Sequence, residues 1–374
     1  MKNRKTSSTP SVTTPNDEPP VTSAMTSVFD LVVVGSGGGP DETDLSAYLL
    51  KAAGAEWKDG IIALEAGSGL GALRHLLQQN PHLFDQPGNQ GKTYKADEIY
   101  SFVRCYLITH AHLDHINSLV ISAGSLRGQR KRLYAAKETL NDLETVFSDR
   151  IWPNLATWSD SDSDYKLLYK PLEADGNFHS VHTGISVRQF PLNHGTYRDE
   201  SYTSSAFLIR HDSSSTEFLF FGDVEPDSLA LAPRTVDIWR AVAPKVPDTL
   251  KAIFIECSWP SGRQDDMLYG HLTPDYLVAE LVVLAKEVVK HRKSGQALRS
   301  SRPARKRQKA NPISDEDLLD ALKGLQVYVM HCKDDMNNDK EPTRHSITRQ
   351  VGELVQTRQL GATVICTEPG MRIS

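Results

Sequence analysis

The sequence predicts an α/β fold, and three observations carry that reading. Short apolar, β-branched runs bounded by Gly, Asp and Asn recur from residue 31 onward. Segments with helical spacing of apolar residues alternate with them. The chain is also long enough, at 374 residues and 39% apolar, to enclose a substantial core.

Taken in order, the runs at 31–34, 60–64, 103–109, 185–192, 205–209, 217–221, 252–256, 325–330 and 362–366 read as strands. Helices are expected at 70–77, 116–122, 274–290, 315–322 and about 343–360. Thr273 followed by Pro274 and Asp275 reads as an N-cap with proline at the first helical position. Ser314 with Asp317 reads as a capping box with Asp in the usual Glu place. Residues 1–27 are rich in Ser, Thr and Pro and contain no signal-peptide core, so they read as a disordered leader ahead of one domain at 28–374. A second such segment, at about 295–311, reads as a disordered basic insertion between two helices.

The formal charge of −5 conceals an asymmetry. Nine Lys or Arg and no acid lie between Lys290 and Lys309, so the rest of the chain carries −14. No apolar run approaches the roughly 18 residues that span a bilayer, which argues against a membrane protein. The four cysteines, Cys105, Cys257, Cys332 and Cys366, form no CxxC pair. That spacing excludes a zinc ribbon and a secreted disulfide framework, and it suits a reducing cytosol.

The densest chemical signal is Thr109-His110-Ala111-His112-Leu113-Asp114-His115, directly after the run at 103–108. Imidazole and carboxylate suit zinc and neighbouring divalent ions, and residues just past a strand can turn several side chains to one point. His194 follows the strand expected to end at 192, Asp223 follows 217–221 by one glycine, and His331 follows 325–330. In open α/β sheets ligands bind at the carboxyl edge of the strands, so these separate segments can converge there.

These residues resemble the ligand series of the metallo-β-lactamase superfamily: an HxHxDH cluster, then a lone His, a lone Asp and a final His. More narrowly, His110-Ala-His-Leu-Asp-His-Ile-Asn-Ser-Leu-Val-Ile resembles the signature of the class II cyclic-nucleotide phosphodiesterases, the fungal low-affinity cAMP type. Gly270-His271-Leu272-Thr273-Pro274 and Leu31-Val-Val-Val-Gly-Ser-Gly-Gly-Gly-Pro are similar to further motifs of that family. There are two departures. Ala123-Gly124 stands where the signature ends in Ser then Ala or Pro, and Glu65-Ala-Gly replaces the usual Asp-x-Gly. Neither removes a ligand.

The resemblance implies a four-layer αββα sandwich and two divalent ions, zinc by default with manganese, cobalt or iron left open. His110, His112 and His194 would hold one ion, Asp114, His115 and His331 the other, and Asp223 would bridge them. The substrate would be a 3',5'-cyclic nucleotide, cleaved to the 5'-monophosphate. An alkoxide leaves poorly near pH 7, so a proton donor is expected opposite the nucleophile. His271 is the candidate, beside the positive end of the helix starting at Pro274. Glu256 is the group that could orient or charge His271, and Asp114 counts among the catalytic residues as well as the ligands.

Other signals weigh less. The Gly35–Gly39 stretch lacks the third glycine of a dinucleotide loop and no helix pattern opens there, so it reads as a turn approaching the active-site rim. His179 and His182 read as loop or solvent histidines, and His345 as a helix, loop or surface one. The tract at 302–309 is open to three readings: nuclear import signal, phosphate contact or solvated insert. Cytoplasmic, with nuclear as an alternative, is the expected location. Two rival functions stand beside the phosphodiesterase: an RNA-processing nuclease of the same superfamily, and a non-catalytic nucleic-acid or partner-binding protein using the basic tract. The acidic body disfavours the first, and nucleic acid is an unlikely partner.

Overall fold

Both faces of the first strand are buried, which is why its run Leu31–Val34 is continuously apolar rather than alternating. Leu31 and Val33 face one layer of core, and Val32 and Val34 face another. The same two-sided burial recurs in the central strands of both sheets and sets the layer order. The computed structural model describes residues 28–86, 88, 90–299, 313–334 and 341–374. The expected leader at 1–27 and the tract at 302–309 lie outside the described residues.

The first sheet contains β1 (Phe29–Gly35), β2 (Ala47–Ala52), β3 (Ile61–Leu64), β4 (Val103–Leu107), β5 (Lys131–Ala135), β6 (Ala156–Thr157) and β7 (Leu167–Pro171). Helices α1 (Leu70–Gln79), α2 (Ala96–Phe102), α3 (Leu113–Ser122) and α4 (Lys137–Val146) cover its outer face. The second sheet contains β8 (His179–His182), β9 (Ile185–Tyr197), β10 (Glu200–His211), β11 (Thr216–Phe221), β12 (Leu250–Glu256), β13 (Gln326–Met330) and β14 (Thr363–Cys366). Its outer face packs against α5 (Thr235–Val242), α6 (Pro274–Arg299) and α7 (Thr343–Thr357). The last strand, β15 (Arg372–Ile373), returns to pair with β1 at the edge of the first sheet.

Strand order is β15-β1-β2-β3-β4-β5-β7-β6 in the first sheet and β14-β13-β12-β11-β10-β9-β8 in the second. Between the sheets lie Tyr48, Leu64 and Leu107 from one side, and Phe207, Phe220, Phe254 and Tyr328 from the other. Phe254 and Tyr328 stack with centroids 4.4 Å apart. The result is the expected αββα layering.

All nine expected strands are present, but six others escape a reading by apolar runs, among them the two-residue β15. β2, β5, β7 and β8 mix Lys, Tyr or His into their patterns, and β6 is two residues long. Lys51 and Lys131 are examples: each buries its stem and is 1% exposed, the first paired with Asp30 and the second hydrogen-bonded to main-chain carbonyls. The helix expected at 315–322 is a short 3₁₀ turn, Asp315–Leu318, although its Ser314–Asp317 capping box forms as read. Helix α6 runs on to Arg299, so helix occupies the first part of the segment expected to be a disordered insertion from about 295.

Candidate metal centre

Parallel pairing delivers the site. β11, β12 and β13 run in register, Phe220 beside Phe254 and Phe254 beside Tyr328, so their carboxyl ends share one edge. Asp223 emerges there after Gly222, Glu256 ends β12 and His331 follows β13. In the first sheet, β3 and β4 are likewise parallel, with Leu64 opposite Leu107, so Glu65 and the His110–His115 segment leave along the same edge. His112 precedes α3, and Asp114 and His115 occupy its first turn.

His194 arrives differently from expectation. β9 does not end at Leu192 but continues through His194 to Tyr197. Its register against β10 slips between Asn193 and Thr196, which face Thr203 and Ser201, and Gly195 takes φ +68° there. This bulge lets a residue inside a long hairpin point into the site.

All seven expected ligands converge. His110, His112, His194 and Asp223 form one group with donor atoms within 4.8 Å of one another, and Asp114, His115, Asp223 and His331 form a second. Asp223 belongs to both. Its Oδ2 lies 3.6 Å from His110 Nε2, 3.5 Å from His194 Nε2 and 3.1 Å from His331 Nε2, while its Oδ1 lies 3.3 Å from His115 Nε2. Asp114 Oδ2 is 3.6 Å from His331 Nε2.

Several of these atoms are buried without a hydrogen-bond partner: His110 Nε2, His115 Nδ1 and Nε2, and His331 Nε2. A buried orphan of this kind costs about 1–3 kcal/mol, so a cluster of them is a structure built for something it would bind. Their chemistry, imidazole plus carboxylate, fits a divalent cation.

The outer ring nitrogens are held from behind, which fixes ring orientation as in metal sites generally. His110 Nδ1 is 3.0 Å from Thr109 Oγ1, His194 Nδ1 donates to Gly270 O at 2.9 Å, and His331 Nδ1 is 3.1 Å from Ser46 Oγ. His112 lies flat on Tyr202, with ring centroids 4.7 Å apart and planes 1° apart. Glu65, in the position that departs from Asp-x-Gly, accepts from Thr109 N and sets Oε2 3.6 Å from His115 Nδ1.

Electrostatics follow from burial and proximity. Burial pushes His110 well below the usual imidazole range and brings His194 down to about 3. Burial alone would raise Asp223, but the rings of His331, His115 and His110 outweigh it and hold the carboxyl well below its usual range. Burial would likewise lower His115, yet Asp223, Asp114 and Glu65 hold it well above.

His271 and Glu256 complete the cluster. His271 Nδ1 is 2.9 Å from Glu256 Oε1 and 3.8 Å from Asp223 Oδ2. Gly270 makes this approach with φ +79°, and a Cβ on it would lie 2.6 Å from Gly195 N. Glu256 is fully buried and is pushed up to about 7 by burial and by Asp223. It also accepts from Val224 N, Leu272 N and the Ser258 hydroxyl.

The glycine-rich turn behaves as read: a Cβ on Gly38 would stand 2.7 Å from His331 Nε2, so bare backbone is what lets this turn cover the ring. His179 and His182 fall on strand β8 rather than a loop, and neither reaches the cluster; His179 pairs with Asp175 at 3.1 Å. Ser46, Tyr202 and Lys333 also reach the cluster. The Lys333 Nζ donates to Gly38 O and lies 3.8 Å from Asp114 Oδ2. No spacing signals these three, because each reaches the site only through a tertiary contact.

Two facing sheets clad by helices, with a His/Asp cluster on their shared edge, define the metallo-β-lactamase fold. The fold is shared with YhfI of Bacillus subtilis, a metallo-β-lactamase fold protein, at TM-score 0.52 and 13% identity over 92% of this chain and 99% of that one. The model of the class-II cAMP phosphodiesterases matches residues 78–370, and the chain belongs to that family. A 3',5'-cyclic-nucleotide phosphodiesterase of Schizosaccharomyces pombe is 34% identical over 68% of this chain and 75% of the relative. One from Aliivibrio fischeri is 29% identical over 93% of both. The crystal structure of unliganded yeast PDE1 superposes at TM-score 0.74 and 26% identity, over 92% of this chain and 99% of that one.

Proposed function

We propose that the chain hydrolyses 3',5'-cyclic nucleotides, cAMP foremost, to 5'-monophosphates at a two-metal centre. The observation that carries this is Asp223, shared by two groups of four donors in a chain of this family. In this reading His110, His112 and His194 hold one ion, Asp114, His115 and His331 the other, and Asp223 bridges. Zinc is the default, with manganese, cobalt or iron as alternatives. When bound, a pair of such ions supplies an activated water near neutral pH and neutralises the charge of the phosphodiester.

The chain's own groups do the remainder. Lys333 adds one positive charge on the Asp114 side of the cluster, in a body that is otherwise acidic. His271, backed by Glu256, is the proton donor to the departing 3'-oxygen: in its imidazolium form Nδ1 stays bonded to the Glu256 carboxylate and the Nε2 proton passes to the oxygen, leaving the ring neutral. Ser46, Thr109 and Tyr202 hold His331, His110 and His112 in place.

No helix among the described residues is long and apolar enough to cross a membrane. All four cysteines are free. The test is turnover of cAMP, cGMP, 2',3'-cyclic nucleotides and short RNA side by side, with the product identified as a 5'- or 3'-phosphate. Release of 5'-monophosphate from a 3',5'-cyclic substrate is expected. Turnover of RNA alone would overturn the reading.

A further inference from the structure

We propose that His345, Cys366 and Glu368 form a separate metal site that holds one zinc-class divalent ion through a thiolate, an imidazole and a carboxylate. Their donor atoms lie within 4.8 Å of one another. None of the three belongs to the catalytic cluster, and they come from different elements: His345 from the first turn of α7, Cys366 from the end of β14 and Glu368 from the loop beyond it. The composition is what separates this triad from an ordinary surface ion pair. Thiolate, imidazole and carboxylate together form a donor set suited to zinc, whereas a His–Glu hydrogen bond has no use for a sulfur beside it.

Access and charge fit the same reading. The side chains of His345 and Glu368 are about half exposed, at 46% and 51%, so an ion can reach them and water can complete the coordination. Cys366 is partly buried, and burial together with the nearby Glu368 and Asp44 carboxylates holds its thiol above the usual range, against the opposing Thr348 hydroxyl and Arg344 guanidinium. Arg344 itself is paired with Asp44, which lessens its repulsion of a cation. The thiol must lose its proton on binding, so affinity rises with pH.

The position also matters. Thr367, between two of the three donors, accepts the Ser36 hydroxyl at 2.8 Å, and the carbonyl of Ser36 accepts His331 N. Arg344, next to His345, donates to the same Ser36 hydroxyl at 3.1 Å. The outer triad therefore borders the main-chain support of a catalytic-cluster residue without touching the cluster.

Cobalt titration of the full chain tests this. The catalytic cluster contains no sulfur, so a thiolate-to-cobalt charge-transfer band in the near ultraviolet reports on the outer triad alone, whether or not the catalytic reading holds. The expected result is a saturable band whose amplitude corresponds to one thiolate-bound cobalt per chain, which strengthens with rising pH and is lost in Cys366→Ser. The surface variants His345→Ala and Glu368→Gln, which leave the core intact, should each weaken cobalt binding at this site by about tenfold or more. Absence of the band, its survival in Cys366→Ser, or unchanged affinity in both surface variants would overturn the proposal.

Discussion

The Nδ1 atom of His271 lies 2.9 Å from Glu256 Oε1, and both side chains are almost wholly buried beside Asp223. A histidine so placed has its ring orientation fixed by the carboxylate. If it donates the proton to the leaving oxygen, His271→Ala should slow cAMP hydrolysis by about 10²–10⁴. A nitrophenyl phosphodiester, whose leaving group needs no proton, should be hydrolysed at nearly the wild-type rate. Equal losses on both substrates would remove His271 from the acid role.

Asp223 touches both donor groups, so its loss should empty both rather than one. Elemental analysis of purified Asp223→Ala is expected to show a loss of more than one equivalent of metal compared with wild type. Dialysis of wild type against a chelator should abolish turnover and lower the melting temperature, because the buried imidazoles then lack their partner. Added zinc or manganese should restore both. Retention of one full equivalent in Asp223→Ala would contradict the bridging role.

Gly38 has no space for a side chain, since a Cβ would meet His331 Nε2 at 2.7 Å. Gly38→Ala should push the ring or the turn aside, at a cost of about 1–3 kcal/mol in stability as for other overpacked sites. The functional loss should exceed that implied by stability, appearing as weakened metal retention measured by competition with a chromogenic chelator. An alanine variant that holds metal as tightly as wild type would show that the turn can yield.

Lys131 is buried on β5, with its ammonium 2.9 Å from Arg127 O and 3.4 Å from Ser101 O. Burial brings its pKa down to about 8 from 10.5. Between those values the unfolded chain binds more protons than the folded one, so this lysine makes stability rise with pH across that window. Denaturant titrations from pH 7.5 to 10.5 should show that gain in wild type relative to Lys131→Met, whose curve lacks the contribution. Parallel pH profiles for the two proteins would rule it out.

The seven clustered His and Asp residues were legible because each lies at or near a strand end, where a polar residue interrupts an apolar run. His194 was found by the same rule for a partly wrong reason: its strand continues, and a bulge with Gly195 performs the turn that a strand end would have made. The supporting residues were not legible. Ser46, Tyr202 and Lys333 act through contacts set by the docking of the two sheets, and isolated Ser, Tyr or Lys residues carry no periodic signature. The missed strands have two causes: β5 and β7 bury lysine stems or tyrosines in place of β-branched residues, so their hydropathy does not mark them, and β6 and β15 are only two residues long.

The donors divide between the two halves of the sandwich. His110, His112, Asp114 and His115 leave the first sheet, whereas His194, Asp223 and His331 leave the second. During synthesis the first set is available long before His331 emerges, and no partial chain ending before β13 can own a complete centre. If the second group holds an ion as proposed, its loading is tied to the closing stages of assembly, and a filled centre would certify that both layers have met.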